Sequence, residues 1–122
     1  MVREPSLVIH VDAAGNAIAT AGGQQLHVAC TDDGFTATRT LLAALGACLA
    51  ASIAPLLRRH DAAMAELRIA IAARDDVLAG VDVAITLPAC NVALRTRCER
   101  AARRCPVLRA LAIPVNLHWQ MN

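Results

Sequence analysis

Tyrosine and lysine are absent from this 122-residue chain, and tryptophan and phenylalanine occur once each. Without aromatics, nucleic-acid recognition by base stacking loses its main tool. A net charge of only +2 removes the electrostatic case for nucleic acid as well. There is no GxSxG, no glycine-rich phosphate loop and no CxxC pair. The cysteines stand at 30, 48, 90, 98 and 105, an odd number at irregular spacing. That pattern argues against a disulfide scaffold and against a zinc ribbon or finger. His10, His27, His60 and His118 share no HxxxH-type spacing, so neither a metal nor a cofactor is expected. The Leu7–Val11 apolar run is too short for a signal peptide, and a reducing cytoplasm is the expected compartment.

What is present is apolar: 57% of residues, mostly alanine and aliphatics. Such a composition excludes disorder, and the length predicts one domain, residues 1–122. The abundant alanine and the all-arginine basic set read as coding bias. A small domain with few bulky side chains buries little surface alone, so an oligomer is expected. Leu41–Leu57 carries no charge and touches the lower length of a membrane span, about 17–25 residues. Its alanines, with Gly46, Ser52 and Pro55, weaken the transfer energy, which favours a helix covered by protein on all sides over a span.

The element pattern is β(3)-α-β(2)-α(2)-β, an α+β fold. Ser6–Val11, Ala17–Ala21 and Gln24–Cys30 read as strands punctuated by Gly15-Asn16 and Gly22-Gly23, with Thr31–Gly34 a loop. A long helix is predicted from about Thr38 to Arg59. Thr36, Thr38 or Thr40 would cap it, Arg58 and Arg59 suit its C-terminal dipole, and Pro55 should kink its last turn or shift its end. Glu66–Arg74 and Val81–Leu87 alternate like a hairpin joined through Asp75-Asp76. Asn91–Arg104 reads as an amphipathic helix with an apolar side of Val92, Leu94 and Ala101, a basic face and Asn91 as cap. Cys105-Pro106 breaks it before a short turn, Val107–Leu111, and Ile113–Trp119 is a last strand.

Two cysteines are candidates for chemistry. Cys48 lies mid-helix among small residues, Gly46-Ala47-Cys48-Leu49-Ala50-Ala51, where a substrate or another backbone can approach closely; a small hydrophobe in an alanine-rich core has the same signature. Cys105 precedes Pro106 and would take the N-cap position. There amides, the helix dipole and the adjacent Arg103 and Arg104 would favour a thiolate; an ordinary cysteine at a helix break is the alternative. Cys30, Cys90 and Cys98 read as structural.

The segment LLAALGACLA in a long buried helix, followed by Cys105-Pro106-Val107 after an amphipathic helix, resembles the OsmC/Ohr family of osmotically inducible and organic hydroperoxide resistance proteins. The resemblance implies an OsmC-like fold and an intertwined homodimer with the long helices packed centrally. It also implies thiol-dependent reduction of an organic hydroperoxide, with Cys48 peroxidatic, Cys105 resolving and an external dithiol as reductant. Peroxidases of this family place a Glu at the start of the long helix and use an Arg from the N-terminal strands. Here Thr36-Ala37-Thr38-Arg39-Thr40 carries no carboxylate, and no Arg lies between Glu4 and Thr38. A dimer of the same fold that binds a small apolar molecule, or senses redox state without turnover, is therefore the alternative.

Overall fold

The computed structural model describes residues 7–29, 34–62, 64–74 and 78–122. Cys30, the Thr31–Asp33 part of the first loop and the Asp75-Asp76 connection lie outside the described residues. The chain forms two compact units, residues 1–43 and 44–122.

The first unit holds an antiparallel meander of β1 (Val8–Val11), β2 (Ala17–Ala21) and β3 (Gln24–Val28), in that order. Its first turn is built by Asp12, whose Oδ1 accepts the amides of Ala14 and Asn16 at 3.0 and 2.9 Å. Gly15 then takes φ +89°, a conformation that side chains with a Cβ rarely adopt. The long helix α1 (Ala37–Arg59) begins in this unit. Of the three candidate caps it is Thr36 that serves: its Oγ1 accepts the Arg39 amide at 3.2 Å.

The second unit contains the rest of α1 and a sheet in the order β4 (Arg68–Ala73), β5 (Val81–Leu87), β6 (Val115–Met121). A short 3₁₀ turn, Met64–Glu66, precedes β4, so Glu66 falls outside the strand. β4 and β5 are antiparallel, and β6 returns parallel to β5 in the register Val81↔Val115 through Leu87↔Met121. The parallel crossover is made by α2 (Val92–Arg103) and α3 (Pro106–Ala110). The last strand is displaced by two residues from the span Ile113–Trp119. Pro114 cannot donate to the ladder, although its carbonyl accepts the Val81 amide at 2.9 Å, and pairing starts one residue later.

Period-2 alternation in β5 translates directly into burial: Val81, Val83, Ile85 and Leu87 are fully buried. On α1 the core residues are Leu45, Leu49, Ile53 and Leu57, spaced four apart on one stripe. Gly46 brings the helix against β4: a Cβ built there would lie 3.1 Å from Ile71 Cδ1. On α2 the inward stripe is Leu94, Cys98 and Ala102. Val92 is instead 78% exposed and Ala101 only half-buried, because the Asn91 cap, whose Oδ1 accepts the Leu94 amide at 2.8 Å, sets the rotation of the first turn.

Two expectations for α1 change. The helix runs unbroken through Pro55 to Arg59, so the boundary does not shift. Within one chain it is not covered on all sides: Ala43, Ala44, Ala47, Ala51 and Pro55 are exposed. A helix can bury only the sector its neighbours reach, and here that sector is the leucine-isoleucine stripe. By length and composition α1 is long and apolar enough to cross a membrane, with a mean hydropathy of 2.1 over its most apolar 18 residues.

Leu49→Ala is expected to lower unfolding stability by about 2–5 kcal/mol through lost transfer energy and a cavity. Val92→Ala should stay within about 0.5 kcal/mol. Urea unfolding followed by circular dichroism measures both.

Candidate functional site: two thiols between a helix and a helix break

Burying the stripe of α1 fixes the rotation of that helix, and with it the place of Cys48. Cys48 is three residues after Leu45 and one before Leu49, so it lands on the shoulder between the buried stripe and the exposed face. Its side chain is half-buried. Ser52, one turn on, shares that shoulder and donates from its hydroxyl to the Cys48 carbonyl at 2.9 Å.

Cys105 reaches the same place from the far end of the unit. α2 ends at Arg103, and Pro106 opens α3 as its first residue, its fixed φ suited to a helix start. Cys105 is therefore the N-cap of α3, as the Cys-Pro step predicts, and its side chain is fully buried. Both cysteines are free thiols, and the structure brings them together.

The electrostatics of Cys105 differ from the expectation of a thiolate. Burial pushes its thiol above the ordinary range, and the hydrogen-bonding interaction with Cys48 pushes it further up by favouring the protonated form. The backbone amides of Leu108 and Val107 pull the other way without reversing the result, and the side chain closes no capping hydrogen bond. A helix of five residues offers little dipole to offset desolvation. Arg103 and Arg104 do not supply the missing charge: Arg103 lines a cavity against β6, and Arg104 faces the cleft between α1 and α2. Cys105 is thus a thiol that holds its proton, beside a second thiol that solvent reaches.

The other cysteines stand apart. Cys98 is buried on α2, where burial and then the neighbouring Cys90 raise its thiol. Cys90 is half-buried in the loop before α2, its sulfur 4.0 Å from Met121 Sδ. Among the described residues no group of three His, Cys, Asp or Glu side chains is arranged to hold a metal ion. At the start of α1, Arg39 donates from Nη1 to the Gly34 carbonyl at 2.8 Å. Ser52 belongs to no motif, and its only signal in the sequence is its spacing four residues after Cys48. The amides beside Cys105 carry no sequence signal at all.

A family model described as OsmC-like protein matches residues 30–120. Among solved structures, an OsmC-like protein from Mycoplasma pneumoniae aligns over 99% of both chains with a TM-score of 0.77 at 13% identity. An organic hydroperoxide resistance protein from Elizabethkingia anophelis, with bound thiocyanate, aligns over 100% of both chains with a TM-score of 0.62, also at 13% identity. A hypothetical protein from Aquifex aeolicus VF5 covers 99% of this chain and 98% of its own, with a TM-score of 0.81 at 10% identity. At these identities the likeness establishes the fold. None of the curated proteins compared matches the chain in sequence.

The raised Cys105 thiol has a pH consequence. With iodoacetamide at neutral pH, peptide mapping is expected to find Cys48 carboxamidomethylated about tenfold or more faster than Cys105, because alkylation needs an accessible thiolate. The Cys105 rate should climb only as pH passes above the ordinary thiol range, where its proton is finally lost. Equal rates at neutral pH would contradict the assignment.

Proposed function

The chain belongs to the OsmC-like family, and from that premise we propose that it reduces organic hydroperoxides as a homodimer, with Cys48 peroxidatic and Cys105 resolving. The Cys48 thiolate attacks the terminal oxygen of ROOH. The O–O bond breaks, ROH leaves after taking a proton, and Cys48 becomes a sulfenic acid. The Cys105 sulfur then attacks the Cys48 sulfur. The S–S bond forms, and the sulfenic oxygen leaves as water with the proton that Cys105 has held. An external dithiol reduces the disulfide, so the net reaction turns ROOH and a dithiol into ROH, water and a disulfide. No cofactor enters the cycle, and a reducing cytoplasm would keep both thiols ready between turnovers.

The observation that carries this reading is the asymmetry of the neighbouring thiols. Cys48 is half-buried and within reach of an oxidant, whereas Cys105 is sealed and protonated beside it. A resolving cysteine needs that arrangement: it must escape oxidation itself yet stand close enough to capture a sulfenic acid before it oxidises further.

The reading is tested by consumption of cumene hydroperoxide with dithiothreitol or dihydrolipoate as donor. The wild-type chain should turn over repeatedly. Cys48→Ser should abolish consumption, and Cys105→Ser should stop after about one equivalent, leaving Cys48 overoxidised by intact mass. Absence of consumption with every dithiol sinks the proposal. A stoichiometric Cys48–Cys105 disulfide formed without turnover would instead identify a redox sensor, a reading favoured by the missing carboxylate at the start of α1.

The dimer rests on uncovered apolar surface. On α1, Ala43, Ala44, Ala47, Ala51 and Pro55 are exposed, and on the meander so are Val8, Ile9, Val11 and Leu26. A second copy would cover the α1 face with protein and not lipid. Analytical ultracentrifugation without detergent should find twice the 12.8 kDa chain mass. Ala51→Glu should shift it to monomer, since a desolvated unpaired carboxylate costs several kcal/mol. A stable wild-type monomer, or a need for detergent, contradicts the assignment.

A further inference from the structure

We infer that the cleft between the C-terminal half of α1 and α2 is a binding site for a small organic phosphate, a phosphoryl group carried on a compact apolar body. The cleft encloses about 380 Å³, and Arg59 of α1 faces Arg97, Arg100 and Arg104 of α2 across it, with Ser52, Leu56 and Pro55 also in the lining, Pro55 being where the cleft meets the exposed α1 face. The three α2 arginines are spaced three and four apart, so one helix face presents them together.

The four guanidiniums are solvent-exposed and share one concavity with no anionic side chain in its lining. Like charges gathered around one concavity repel unless carboxylates are interleaved. No carboxylate lines this cleft; Asp61 and Glu66 line a neighbouring cavity with His60. Glu99, on the same helix, is engaged by Arg95 at 3.2 Å, and Asp82 by Arg74 at 3.2 Å. Arg97 has the His60 imidazole beside it and no carboxylate, with Nη1 3.4 Å from Nε2. The side chains of Arg59, Arg100 and Arg104 have no ion pair or hydrogen-bond partner among the described residues. The positive charge is local, because the whole chain is only +2.

The chemistry of the lining narrows the ligand. Guanidinium forks match the paired oxygens of phosphate and carboxylate, but four of them exceed what one carboxylate neutralises and suit a phosphate dianion. Leu56 gives the cleft an apolar wall for the organic part. The volume lies at the lower end of small-molecule sites, and neither Phe35 nor Trp119 lines the cleft for stacking, so a small phosphate is favoured over a nucleic acid strand. The site is independent of the thiol cycle: it requires no oxidation step, and its test reads binding alone.

Isothermal titration calorimetry on the reduced full chain at fixed ionic strength tests the inference, with phenyl phosphate, inorganic phosphate and benzoate as probes. Phenyl phosphate should bind one per chain, tighter than inorganic phosphate and about tenfold or more tighter than benzoate, which has the same body and one charge. The double variant Arg100→Gln/Arg104→Gln should lose about tenfold or more, as should Arg59→Gln from the opposite wall, each with an unchanged circular dichroism spectrum. Arg109→Gln, an exposed arginine outside the cleft, should stay within about twofold. Equal affinity for benzoate, an equal loss in Arg109→Gln, or no saturable heat with either phosphate probe up to about 10 mM would overturn it.

Discussion

The stripe Leu45, Leu49, Ile53, Leu57 sets the rotation of α1, and the rest of the second unit takes its bearings from that rotation. The four residues are fully buried and share the core with the inward residues of β5. Turning the helix by one residue, about 100°, would expose them. Once the stripe is fixed, every other α1 position has an assigned environment. Cys48, Ser52 and Leu56 fall on a half-buried shoulder, whereas Ala43, Ala47, Ala51 and Pro55 face outward. The half-buried thiol, the wall of the arginine cleft and the uncovered apolar face all follow from one packing choice.

Cys105 illustrates competition between a local and a global effect. The Cys-Pro step places it at a helix N-terminus, and local physics there favours a thiolate. Tertiary structure buries the side chain against Cys48 instead, and desolvation outweighs the nearby amides. The outcome distinguishes the two sulfurs, one half-buried and one fully buried with its proton. That distinction is what the proposed redox cycle uses.

The basic face of α2 shows a similar division. Its amphipathicity is plain in the sequence, and its usual meaning is a solvated surface. The structure sets Arg59 opposite Arg97, Arg100 and Arg104 around a cavity, while Glu99 is occupied by Arg95. A solvated face and a ligand cleft have the same one-dimensional pattern, and only the neighbouring helix separates them.

From the sequence alone came the order of elements, the β5 alternation, the Asn91 cap, the Cys105 N-cap and the two cysteines worth attention. These are local quantities: a period, a cap or a Cys-Pro step needs only its own neighbours along the chain. Beyond its reach lay the stripe that α2 buries, the start of β6, the partial cover of α1 and the protonation of Cys105. Each of these depends on which surfaces meet. Alanine-rich helices are nearly alike on every side, so only the packed sheet decided which side of α1 became core and where Cys48 came to stand.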